Sequence, residues 1–170
     1  MAGRRRVMVD AQNTKGHTAQ LAQANLAWMR YAFHDARMAE MCAAIDRINR
    51  LGDESVGAVW RYQTTGGDAT DVRVLEDPRI LFNLTTWRSL DHLRLYVYRS
   101  EHVAFVRRRR EWFIPPPKDP VVLWWVTAGT RPGVDEAMAR FDRLWRQGPS
   151  AEAFTFKEAY DPDGRLVGTN

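Results

Sequence analysis

The sequence predicts an α+β domain of the ferredoxin-like kind, a split βαβ in which an antiparallel sheet carries helices on one face. Three observations lead there. Segments with strand and helix periodicity follow one another in the order β-α-β-β-α-β, with a further helix and strand behind them. The 170 residues, 45% of them hydrophobic, suit one well-buried core and do not call for a second. The run Val121 to Val126 is apolar at every position, so a sheet containing it must be covered on both sides.

The elements follow in order. Residues 1 to 18 gather Arg4, Arg5 and Arg6 ahead of a polar stretch without periodicity, and are expected to be a flexible basic extension. The domain is expected over 19 to 160, beginning with a strand from Ala19 to Met29. Asp35 is placed to cap a helix whose apolar residues Met38, Met41, Cys42, Ile45 and Ile48 keep helical spacing up to Leu51 and Gly52. A second strand is expected from Val56 to Gln63, where Val56, Ala58, Trp60 and Tyr62 alternate with Gly57, Val59, Arg61 and Gln63. The Thr64-Thr65-Gly66-Gly67-Asp68 segment is a turn.

Ile80 to Trp87 is a third strand, and Ser89 caps a helix from Leu90 to about Arg99. Ser100 starts another helix through Trp112 and Phe113, which Pro115, Pro116 and Pro117 must stop for want of a backbone donor. Val121 to Thr127 is the fourth strand. Val134, Ala137, Met138, Phe141, Leu144 and Trp145 mark an amphipathic helix ended by Gly148 and Pro149. Ala153 to Tyr160 follows as a short edge strand, and 161 to 170 as a C-terminal tail.

With helices on one face, the other face of the sheet would expose the Trp and Val side chains of the fourth strand, a patch of the kind that marks association. Two sheets packed face to face would bury it, so a homodimer is expected, with a ligand cavity between sheet and helices or within the barrel that two sheets enclose.

Charge and composition narrow the function. The formal charge is +4, of which the opening segment supplies +3 from Arg4, Arg5, Arg6 and Lys15 against Asp10, leaving +1 for the rest. No nucleic-acid partner is expected from a basic tail and the single run Arg107 to Arg110. The longest apolar run falls far short of the roughly 20 residues that span a bilayer, and the basic start lacks a signal-peptide core, so no membrane association and a cytoplasmic location are expected. Cys42 is the one cysteine, which removes internal disulfides and cysteine-based metal clusters. Gly-rich phosphate loops, dinucleotide fingerprints, zinc-protease helices and nucleophile elbows are not found. Asp68, Asp71 and Glu76 are scattered acids of a turn, so no metal site is assigned.

The string from Asn83 to Phe113, NLTTWRSLDHLRLYVYRSEHVAFVRRRREWF, together with the VVLWWVTAG segment, the Gly148-Pro149 turn and Ala153 to Phe156, resembles the bacterial family called domain of unknown function 3291. Arg37 to Glu40, Asp46 to Asn49, Gly57 to Arg61 and Ala69 to Asp71 belong to the same resemblance, which runs from about Gln20 to Phe156. It implies a dimeric α/β barrel, distantly related to antibiotic-biosynthesis monooxygenases, haem-degrading monooxygenases and stress-responsive barrel proteins. It implies no settled activity. The basic extension and the triple proline depart from the family pattern.

Along the predicted helix, Tyr98, His102, Phe105 and Arg109 fall at i, i+4, i+7 and i+11, with Trp112 or Phe113 closing the row. His102, Arg109 and Tyr98 are therefore the candidate catalytic residues. His102 would act as general acid or base, and Arg109 would hold a developing enolate or carboxylate. Alternatively, His102 is an axial haem ligand, as the haem-degrading relatives suggest. Asn83 is an amide inside an apolar strand and needs partners that a ligand can supply, and Asn25 makes the same case on the first strand. Trp87, Trp60, Arg61, Phe105, Trp112 and Trp124 complete the expected substrate-binding set, the tryptophans also being natural core residues.

The expected function is a cofactor-independent enzyme acting on a small hydrophobic aromatic or polyketide-like metabolite, by monooxygenation or by cyclisation or isomerisation. The alternatives are a non-catalytic ligand-binding or stress-response dimer, and a haem-binding monooxygenase.

Overall fold

The computed structural model describes residues 18–99 and 107–169. Strands β1 (Ala19–Trp28), β2 (Ala58–Arg61), β3 (Ile80–Trp87) and β4 (Val121–Thr127) form an antiparallel sheet in the order β2-β3-β1-β4. Helix α1 (Ala39–Asp53) joins β1 to β2, and α2 (Leu90–Arg99) follows β3, which is the ferredoxin-like split βαβ. Helix α3 (Val134–Gln147) and a small hairpin of β5 (Glu158–Tyr160) and β6 (Leu166–Thr169) complete the chain.

Because side chains alternate along a strand, the register sorts the sheet into two faces. Ala22, Ala24 and Leu26 of β1, Ile80, Phe82 and Leu84 of β3, and Val122 and Trp124 of β4 share one face with Ala137, Phe141 and Leu144 of α3. Leu21, Trp87 and Leu123 share the other with Leu90 and Leu93 of α2, while Leu81 packs near Met41 of α1. The two helices of the split βαβ thus lie together on one face, as expected, and α3 crosses to the opposite one. This is how β4 is apolar throughout: Val122, Leu123 and Trp124 are each fully buried by this chain alone. The exposed sheet face from which pairing of two sheets was inferred is therefore covered by α3, and a second copy is not needed to bury it.

Several boundaries differ from the sequence expectations for local reasons. β2 is shorter than Val56 to Gln63, because Gly57 sits at φ +86° against the His92 ring and the register shifts between Ala58 and Trp60. A Cβ on Gly57 would lie 2.2 Å from the His92 ring, so only glycine fits there. The helix expected from Ser100 through Phe113 ends earlier. Residues 107 and 108 are helical, Arg109–Glu111 form a 3₁₀ turn, and Phe113 is already extended and bridged to Met29, ahead of the prolines. Within the expected edge strand, Phe154 bridges Leu123 while Glu158–Tyr160 pairs with Leu166–Thr169, so the expected tail contributes a strand. The expectations for residues 1–17 and 100–106 lie outside the described residues.

Among the described residues no helix is long and apolar enough to cross a membrane.

Candidate functional site

The face of the sheet under α1 and α2 is not packed shut. A cavity of about 640 Å³ lies between the sheet and these helices, within the usual size of a small-molecule site. Its helix wall comes from Met41, Ile45, Ile48, Asn49 and Gly52, spaced so that one stripe of α1 faces the sheet. Tyr96 and Val97 of α2 add to it, and Arg109 of the 3₁₀ turn with Trp112 and Phe113 just after it border it.

The floor is unusual for a sheet face in contact with helices, because five of its residues are polar or carry a polar tip. Trp87 Nε1–H donates to Thr85 Oγ1 at 2.9 Å, and the Thr85 hydroxyl donates to Gln23 Oε1 at 2.7 Å. Gln23 Nε2 donates to Asn25 Oδ1 at 3.1 Å, and Asn83 Nδ2 donates to the same oxygen at 3.2 Å. The register makes this ladder possible: Gln23 stands opposite Thr85, and Asn25 opposite Asn83, on one face of adjacent strands. Buried polar groups are tolerated when bonded, and leaving one orphaned costs about 1–3 kcal/mol. The ladder satisfies its own members at the Trp87 end. At the other end, the Asn25 amide NH₂ and the Asn83 carbonyl take no part in these bonds, and both residues line the cavity.

Charge is concentrated beside the Trp87 end. Arg61 grips Asp53 through two bonds of 2.9 Å and also donates to the Gly67 carbonyl at 3.2 Å, so its guanidinium is largely committed to holding α1 and the 62–68 loop together. A smaller polar cleft of about 280 Å³ shares Asn49, Asp53 and Arg61 with the main cavity. The Tyr96 ring stacks on Trp87 with centroids 5.2 Å apart. Burial pushes the Tyr96 phenol up to about 12, with the Asp53 carboxylate adding to the effect and Arg61 opposing it, so the phenol is protonated at neutral pH. Near the far end, Arg108 donates to Glu40 and Glu111 and lies over the Trp112 ring at 4.9 Å, fastening the 3₁₀ segment to α1. That guanidinium holds both carboxyls below the usual carboxylate range.

Of the residues expected from the sequence, Asn83, Trp87, Arg61, Arg109 and Trp112 line the cavity together; Trp60 borders it, but opposite Thr86 its ring packs with the cluster on the α3 side. Two others do not line it. Trp124 lies on the opposite face, fully buried under α3, with its indole N–H donating to Glu136 at 2.9 Å. Tyr98 is 59% exposed, its ring edge resting on Phe156 outside the wall. His102 and Phe105 lie outside the described residues.

The residues missed were Gln23, Thr85 and Tyr96. Tyr96 was legible, since it continues the Leu90, Leu93, Val97 stripe that faces the sheet. No histidine among the described residues lines the cavity, and His92 is occupied at its own helix start with Ser89 at 2.7 Å; the expected haem ligand, His102, lies outside the described residues. Among the described residues no cluster of three His, Cys, Asp or Glu is placed to hold a metal ion.

The family model described as Domain of unknown function (DUF3291) matches residues 20–168. No curated protein matches. A protein of unknown function from Nitrosomonas europaea is 11% identical, with a TM-score of 0.45 over 69% of this chain and 99% of that one. SnoaB, a cofactor-independent oxygenase from Streptomyces nogalater, is 13% identical, with a TM-score of 0.43 over 66% of this chain and 95% of that one. A putative antibiotic biosynthesis monooxygenase from Chloroflexus aurantiacus is 11% identical, with a TM-score of 0.39 over 68% of this chain and 98% of that one.

Proposed function

The chain belongs to the DUF3291 family, whose description assigns no activity, and from its cavity we propose that it is an enzyme acting without a resident cofactor on a small hydrophobic aromatic or polyketide-like metabolite. The observation that carries this is the polar ladder from Trp87 to Asn83 on the floor of an otherwise apolar cavity. A flat ring system fits between the α1 stripe and the sheet, and the free ends of the ladder hold its oxygen substituents in one orientation.

Oxygenation is the reaction we assign. The Asn25 N–H group donates to a ring carbonyl and favours the enolate formed when the CH₂ conjugated with it across the fused ring system loses a proton. Arg109 supplies compensating positive charge from the Phe113 end, and His102 is the proposed proton acceptor on its sequence position alone. Dioxygen then oxidises that carbon to a ketone, one oxygen atom remaining on the product and the other leaving as water. Tyr96, protonated at neutral pH, serves as a donor at the Trp87 end and not as a base.

The test uses 1,8-dihydroxyanthrone as probe, following binding by tryptophan fluorescence and turnover by dioxygen uptake and quinone absorbance. Turnover above the protein-free rate is expected, falling roughly tenfold or more in Asn83→Ala. Saturable binding with no turnover would replace the enzyme by a ligand-binding protein, and no binding would overturn the cavity's role.

A further inference from the structure

The ladder has a direction, and its direction sets what the cavity can recognise. Resting on the proposal that this cavity is the ligand site, we infer that Asn25 and Asn83 form a polarity-coded pair. The Asn25 oxygen is used twice within the ladder, so Asn25 presents donors only and Asn83 supplies the one unused amide acceptor of the pair; the ligand is therefore a flat ring system carrying a carbonyl and a hydrogen-bond donor on one edge, with the carbonyl at Asn25 and the donor at the Asn83 oxygen.

The polarity follows from the bonds. An indole N–H can only donate, so Thr85 Oγ1 accepts from Trp87, and the one proton of the Thr85 hydroxyl goes to Gln23 Oε1. Reversing the Gln23 amide alone would set its oxygen about 3.1 Å from Asn25 Oδ1 with no proton between them. Reversing Asn25 as well would bring its NH₂ against the Asn83 NH₂, now bonded at 3.2 Å to the Asn25 oxygen. Only a concerted reversal of all three amides restores those contacts. It would leave the Thr85 hydroxyl, in a residue only 9% exposed, receiving protons from both sides with no ladder side chain left to accept its own. A single buried threonine therefore fixes three amides in sequence, and the last two turn an NH₂ and a C=O to the ligand. Thr85 is a positioning residue in this scheme, while Asn25 and Asn83 determine specificity.

Two probes of nearly the same shape read this code: 2-quinolone, whose edge offers both C=O and N–H, and 1-methyl-2-quinolone, which keeps only the C=O. Affinities are measured by tryptophan quenching for wild type, Asn25→Leu and Asn83→Leu, each checked for a native thermal melt. In wild type the methylated probe should bind about tenfold more weakly. That difference should vanish to within about twofold in Asn83→Leu, which lacks the acceptor for the probe's N–H, and persist in Asn25→Leu. The reverse pattern, or a difference that survives in Asn83→Leu as a steric effect would, overturns the assignment. Should a variant fail to fold, the side-chain amide ¹⁵N spectrum of wild type decides: 1-methyl-2-quinolone should move the Asn25 NH₂ signals and leave those of Asn83 in place. Equal binding of both probes would refute the code and leave the cavity standing, whereas binding of neither would remove the cavity assignment with it.

Discussion

Two tyrosines two residues apart separate what spacing tells from what packing tells. Tyr98 was selected because it lies four residues before His102, yet it stands in solvent against Phe156. Tyr96, on the apolar stripe, stacks on Trp87 inside the cavity wall. Its phenol holds its proton to about 12 against an ordinary value of 10.0, so the native state keeps a proton that the unfolded chain has already released. Stability must therefore fall as the pH rises from about 10 to about 12. Urea melts across that range should show the fall in wild type, and a shallower one in Tyr96→Phe. Gly57 makes a second residue-scale prediction. At φ +86° and with the His92 ring where a side chain would go, Gly57→Ala should destabilise by about 3 kcal/mol or more in urea melts, both the strain and the clash contributing. Asn83 was legible as an amide in an apolar strand. Gln23 and Thr85 were not, because each is unremarkable in its own strand and gains a role only through the cross-strand register.

Among the elements, β3, β4 and α2 fall where strand alternation, apolar runs and the Ser89 cap put them, since each carries its own start and stop signals. β2 and the segment after residue 106 do not, because tertiary contacts override their local pattern: the Gly57–His92 packing shortens one, and the Phe113–Met29 bridge ends the other before the prolines. The placement of α3 was the least legible, as an amphipathic pattern says that a helix has an apolar side but not which sheet face receives it. Its packing yields a test that separates stability from site. Phe141 is fully buried on the face away from the cavity, so Phe141→Ala should cost about 3–5 kcal/mol in chemical denaturation. Anthrone affinity, measured at a temperature where the variant remains folded, should change less than about twofold.

At the scale of the whole molecule, the order of elements and the resemblance both lead to the split βαβ, and the sheet order β2-β3-β1-β4 agrees. The second sheet face, expected to need a second copy for cover, is covered within the chain by α3. What gives this molecule its function, in the present account, is the unequal treatment of its two sheet faces. One is closed by α3 over alanines and large apolar side chains, and the other is held open under α1 and α2 over a polar ladder. The seven tryptophans report both faces at once. Trp87 and Trp112 line the cavity, while Trp60, Trp124 and Trp145 pack with the cluster on the α3 side. The most direct measurement is therefore the indole ¹H–¹⁵N spectrum of the labelled protein during titration with 1,8-dihydroxyanthrone. Saturable shifts of the Trp87 and Trp112 signals, with Trp124 and Trp145 unmoved, are expected; shifts confined to Trp124 and Trp145, or none at saturating probe, would contradict the assignment of this cavity as the ligand site.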